Sequence, residues 1–225
     1  TNAVDVSEGS AIGAVAKIKG IFAGGVSDSL SNLASGGNAS SNLTTITGDD
    51  SDVAITISDG TFASTSATLS AADVSAVGGA TTGTVTVTKA VKIVGAASDL
   101  TNTLVTSGSS VIAATALVDI SDGTFASTSA TIAATALGDI GAKTTGTVTV
   151  SNAVKIVGAA SDLTNTLVTS GSSVTASTAL VDISDGTFAS TSATIAATVL
   201  GDIGAKTSGT VTVSNAVKIV GAASD

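Results

Sequence analysis

The sequence predicts an α/β chain, a repetitive right-handed solenoid in which parallel strands alternate with short helices of small residues. Three observations carry this expectation. VKIVGAASD stands at 91–99, 154–162 and 217–225, a period of 63 residues. Val and Ile alternate with Thr or Asp in GTVTV at 146–150 and LVDIS at 180–184, the period of a strand with one buried face. Each such run leads into a turn tripeptide, S-D-G or S-N-A, and then into an Ala-, Ser- and Leu-rich segment of helical length. Strand and helix alternating every thirty-odd residues makes successive strands parallel, because crossover connections are right-handed. The Thr-rich composition keeps an all-β solenoid or tandem β-sandwich repeats open as alternatives.

Taken in chain order, residues 1–52 form a divergent amino-terminal capping coil with an insert, as expected of an end repeat with a neighbour on one side only. Within it, SDSLSNLASGG at 27–37 resembles the helical segment SDLTNTLVTSG at 98–108, whereas NASSNLTTITGDDSD at 38–52 has no counterpart. Residues 53–225 are the repeat region. Copies 117–162 and 180–225 differ only at Ala136/Val199 and Thr145/Ser208. A half-repeat lies inside each period, marked by Asp59, Lys89, Asp122, Asn152, Asp185 and Asn215 at spacings alternating 30 and 33. Asp and Asn build the turn by bonding their own backbone, and Gly accepts positive φ.

In ASDLTNTLVTSG at 160–171, Ser161 is the expected helix cap. Asp162 suits the positive end, Leu163 and Leu167 share a face, and Gly171 stops the helix. SATIAATALGDIGAK at 129–143 reads as a second helix, with Ser129 as cap, Ile132 and Ala136 on one face, and Lys143 at the negative end. Residues 217–225 stop where a helix is expected, which predicts an open carboxy-terminal coil. Thr1 in place of an initiating Met points to processing or to excision from a longer chain.

The composition narrows the chemistry. Of the 225 residues 43% are hydrophobic, but they are Ala, Val, Ile and Leu with four Phe, so the expected core is thin and layered. There is no His or Cys, hence no imidazole base, thiolate, structural zinc site or disulfide. A net charge of −9 repels phosphate backbones, which argues against nucleic acid as a partner. The longest apolar stretch, AIGAVAKIKGIFAGG at 11–25, is interrupted by Lys17 and Lys19, so no membrane span is expected. Near-identical copies also argue against an enzyme, because an active centre is one asymmetric constellation and nothing here marks a nucleophile with its base.

Among candidate sites, Asp49, Asp50 and Asp52 crowd the segment GDDSD, where a cation such as calcium would relieve their mutual repulsion. A solvated surface loop is the plainer reading of that segment, so no cofactor is expected, with calcium the one addition the residues allow. Asp59, Asp122 and Asp185 read as turn formers before metal ligands, and Phe62, Phe125 and Phe188 as core plugs, one per period. Lys92, Lys155 and Lys218 read as solvated strand positions or partners of nearby Asp, and the Thr rows of TTGTVTV as strand formers before any water-ordering face.

The alternation of V-x-[VI]-S-[DN]-[GA], a helix such as GAASDLTNTL and a KTTGTVTV return across residues 53–225 resembles repeats of very large secreted or cell-surface proteins of bacteria, notably cyanobacteria. That resemblance implies a surface-layer, fibre or adhesin role, often with calcium. The sequence therefore leads to the expectation of a non-enzymatic structural repeat protein, extracellular or on the cell surface, that forms a homo-oligomer or polymer through its coil ends into a filament, sheath or surface layer. The alternative is an adhesin whose regular face meets cell-surface polysaccharide, mineral or ice.

Overall fold

A computed structural model of the chain describes residues 3–13, 22–106, 110–169 and 172–222. The fold is mixed α/β with several parallel sheets. Helices at Ala71–Ala80, Ala134–Gly141 and Ala197–Gly204 exclude the all-β alternatives. The chain packs as two compact units, Thr1–Val118 with Lys143–Gly146, and Asp119–Ala142 with Thr147–Asp225. Lys17, Lys19 and Gly171 lie outside the described residues.

In the first unit a four-stranded sheet joins Val26–Asp28, Ile55–Ile57, Val85–Val87 and Val111–Ile112 in that order, all parallel. Val26, Ile55, Val85 and Val111 share one register row, and all four are buried. Alternation alone fixes this: a slip of one residue would exchange the row for its neighbour, Ser27, Thr56, Thr86 and Ile112. Beside it Thr68–Ser70 pairs in parallel with Lys92–Gly95, setting Leu69 against Ile93.

The second unit repeats the scheme. Thr131–Ala133, Lys155–Gly158, Leu180–Ile183 and Val211–Val213 form a parallel sheet in which Ile132, Ile156, Val181 and Val211 align. Val148–Val150 pairs with Val174–Thr175, and Thr194–Ala196 with Lys218–Val220. Helices between the strands bury small or branched side chains: Ala134, Leu137 and Ile140 are each fully covered. At i, i+3 and i+6 they form the stripe that lets so short a helix seat against a sheet.

Several local expectations are corrected. The segment 129–143 is a strand, Thr131–Ala133, followed directly by the helix Ala134–Gly141, because β-branched Thr131 and Ile132 prefer the sheet. Ser129 is no helix cap. It closes the one-turn helix Phe125–Thr128 in the left-handed conformation, φ 55°, as Ser66 and Ser192 do in the other copies. Residues 160–171 begin as a helix at Ala160–Leu163 and continue as a π-turn at Thr164–Val168, closed by Thr169 N–H donating to the Thr164 carbonyl at 2.9 Å. Leu163 and Leu167 do share the buried face, but Ser161 is not the cap; Ala159 precedes the first turn.

The amino-terminal insert is helical too, at Ser41–Asp49, with Ser40 Oγ accepting from the Leu43 N–H. It follows a two-strand hairpin, Ala34–Ser35 with Asn38–Ala39, whose tip Gly36 and Gly37 both take positive φ.

The T-[TS]-G motif explains itself in three dimensions. Thr81, Thr144 and Thr207 each donate through Oγ1 to a strand-flanking carbonyl, of Val53 at 2.8 Å, Ala116 at 2.5 Å and Ala179 at 2.5 Å. Each accepts in return from the N–H of Gly83, Gly146 or Gly209. A Cβ on Gly146 would stand 2.2 Å from the Ala116 carbonyl oxygen, so the backbone approach admits only glycine.

Candidate functional site

Three arrangements of polar side chains recur, and all three tie one repeat to the next. The first uses the S-D-G aspartates. Asp59 Oδ2 accepts from the Leu30 N–H at 2.7 Å, the first residue of the helix Leu30–Leu33, and Asp185 Oδ2 accepts from the Ala160 N–H at 2.7 Å, the first residue of Ala160–Leu163. Asp28 does the same for the helix Val6–Gly13 through the Val6 N–H at 3.2 Å. The turn aspartate is therefore the anionic cap of a helix 22 to 29 residues earlier in the chain, where helix N–H groups lack intrahelical partners. At the alternate half-repeat positions Lys89 Nζ donates to the Ser58 carbonyl, Asn152 to that of Asp122 at 2.7 Å and Asn215 to that of Asp185 at 2.6 Å.

The second arrangement corrects the core-plug reading of the phenylalanines. Phe62 and Phe125 are half-buried and Phe188 is 43% exposed. Each opens a one-turn helix too short to sink its ring, and each lies beneath a lysine of the adjacent strand: Lys92 over Phe62 at 4.4 Å, Lys155 over Phe125 at 5.4 Å, Lys218 over Phe188 at 5.7 Å. The ring face attracts the ammonium and orients it along the sheet.

The third follows from that orientation. Lys155 Nζ meets Asp182 Oδ2 at 2.7 Å, from the K-I-V strand to the L-V-D-I strand beside it, and Ser214 Oγ donates to the other carboxylate oxygen. Ser151 donates likewise to Asp119. The Lys155 ammonium, followed by the Ser214 hydroxyl, holds the Asp182 carboxyl below its usual range even though burial opposes this. A carboxylate held that way stays ionised near neutrality and is a weak proton acceptor; the arrangement fastens strands. Sequence reasoning did not single out Asp182 or Ser214. The signal was present, since the Asp of L-V-D-I stands 27 residues after the Lys of V-K-I-V in each copy, at 92 and 119 and at 155 and 182.

The acidic segment spans the end of a helix and the turn after it. Asp49 is the last residue of the helix Ser41–Asp49, Asp50 is its buried C-cap with Oδ2 accepting from the Phe22 N–H at 2.8 Å, and Asp52 is exposed in the following turn. Helix geometry turns neighbouring carboxylates in different directions, and among the described residues no group of three candidate ligands converges for a metal ion. Concave surfaces are shallow. One groove of about 330 Å³ is lined by Gly138, Gly141, Asn165, Thr166 and Ser173, and another of about 420 Å³ by Ser161, Thr164, Asp185 and Ile195. In the second the one carboxylate, Asp185, is engaged by a helix terminus.

Compared with protein-family models, with curated proteins and with solved structures, the chain finds no match. Among the described residues no helix is long and apolar enough to cross a membrane.

Proposed function

We propose that this chain is a non-enzymatic structural repeat protein of the cell surface or extracellular space, a right-handed α/β solenoid whose repeats self-associate into a filament, sheath or surface layer. The observation that carries the reading is that each repeat is chemically incomplete alone. The helix at Ala160 takes its cap from Asp185, Lys155 takes its counter-ion from Asp182, and strand rows align register by register with those of the following repeat. A unit that completes its neighbour leaves an unsatisfied face wherever a neighbour is missing, and an unsatisfied face is an assembly surface. Acidic, cysteine-free composition suits an exported polymer, and the resemblance of residues 53–225 to large bacterial surface repeats points the same way. Calcium stabilisation belongs to this proposal only as an addition to be tested, by thermal unfolding with calcium and with chelator.

Negative-stain electron microscopy of the purified chain, with light scattering over a concentration series, tests the reading. Assemblies that grow with concentration support it. Discrete monomers at every concentration would sink it. The adhesin alternative requires a flat repeated face, and the outward row Ser27, Thr56, Thr86 and Ile112 mixes hydroxyl with aliphatic groups, which gives that reading less support.

A further inference from the structure

The two shallow grooves of the second unit meet at one side chain. The π-turn Thr164–Val168 sets Asn165 at the surface, where it lines both the groove of about 330 Å³ and that of about 420 Å³. Turns of this kind recur at functional sites. The larger groove is built wholly from residues 160–199, inside the second compact unit. Ser161, Asn165 and Asp185 bring polar groups to it, and Ile195 and Val199 form an apolar wall. Thr164 and Thr194 also line it, but their hydroxyl protons go to the carbonyls of Ala160 and Ser192. Asp185 uses Oδ2 for the Ala160 N–H. Among the described residues nothing bonds Asp185 Oδ1, the Ser161 hydroxyl or the Asn165 carboxamide, so three unengaged polar groups share one concavity.

We infer that these adjoining grooves bind a neutral polysaccharide, with one sugar ring seated against Ser161, Asn165 and Asp185. The chemistry of the occupant is read from the groups that face it. A carboxylate oxygen only accepts, while a hydroxyl and a carboxamide both accept and donate, so the partner must be rich in hydroxyl groups. No lysine lines either groove, so nothing offsets the charge of a phosphate or a uronate beside Asp185, and an anion is repelled. A metal cation finds one carboxylate there, already shared with a helix terminus, where it needs several oxygen ligands. The wall of Ile195 and Val199 suits the C–H face of a ring, and a volume of about 420 Å³ is that of a small-ligand site. Val199 is also one of the two positions at which the last two copies differ, Ala136 standing in the copy before, so the wall carries its larger side chain here. Shallow walls hold a single ring weakly. The second groove, lined by Gly138 and Gly141, lets the same polymer continue past Asn165, and contacts made along one chain reinforce each other. The inference goes beyond the self-association reading and does not rest on it.

The test is native affinity electrophoresis of the full 225-residue chain through gels cast with a soluble neutral polysaccharide, in turn a β-glucan, a mannan and a galactan, and with acidic alginate for comparison. Retardation that saturates is expected with at least one neutral polymer and none with alginate. Asn165→Ala and Ser161→Ala each weaken binding about tenfold, the loss of one hydrogen bond. Val199→Ala weakens it about fivefold, through the apolar contact removed. Asp202→Ala, an exposed change outside both grooves, binds as the parent chain does. Ser161 and Asn165 are exposed, and circular dichroism checks that each variant folds. The inference is overturned if no neutral polymer retards the chain, if alginate retards it equally, or if Asn165→Ala and Ser161→Ala both bind as the parent does. Polysaccharide binding without fibres under the microscope would remove the filament reading and leave this one; fibres without binding would do the reverse.

Discussion

Asp185 caps a helix that begins 25 residues before it, and that single hydrogen bond shows how this chain uses polar side chains. Removing the acceptor leaves the Ala160 N–H without its partner at the positive end of a helix. Asp185→Ala is expected to cost about 1 kcal/mol, read as a lower midpoint in urea, while exposed Asp202→Ala leaves it unchanged. A stronger effect belongs to Gly146→Ala, where the added methyl meets the Ala116 carbonyl and the strand entry must shift; about 1–3 kcal/mol is expected, again from urea midpoints. Asp182 gives a pH signature. Its carboxyl lies below the unfolded value because Lys155 and Ser214 bond it. Its stabilisation is therefore complete above the unfolded pKa of about 3.9 and is lost as pH falls through the lower folded value. The difference in midpoint between the parent chain and Asp182→Asn should be constant from pH 7 down to that range and then shrink towards zero. A difference independent of pH would refute the ion-pair account.

At the scale of elements, the strands were legible and the helix starts were not. K-I-V-G and L-V-D-I follow a period of two with aliphatics inward, so the register rows Ile132, Ile156, Val181 and Val211 could be anticipated from spacing. Leu163 and Leu167 likewise marked their buried face. The helix caps were misplaced at Ser161 and Ser129: local rules look for Ser or Asp near the first helical residue, Ala159 and Ala133 stand at the caps instead, and the Ala160 N–H finds its acceptor in the distant turn residue Asp185. Phe125 was misplaced for a related reason. A large ring suggests a core, yet the one-turn helix Phe125–Thr128 keeps it at the surface under Lys155. That helix ends on Ser129 with positive φ, a conformation glycine adopts more cheaply, so Ser129→Gly should raise the urea midpoint, by about 0.5 kcal/mol. The π-turn Thr164–Val168 has no sequence signature at all. Its buried Thr166 donates to the Ala134 carbonyl at 2.9 Å, fastening one helix to the turn beside the next.

For the molecule as a whole, the near-identity of copies has a physical reading. S-D-G must cap, T-T-G must approach a strand closely, and K-I-V must meet L-V-D-I, so substitutions at these positions are felt in two repeats at once. The candidate acidic site at Asp49, Asp50 and Asp52 was suggested by spacing alone, and in the fold Asp50 accepts from the Phe22 N–H. Electron microscopy of the purified chain across a concentration series tests the central claim most directly. The account predicts fibres or sheets that extend with concentration; monodisperse single particles at every concentration would contradict it.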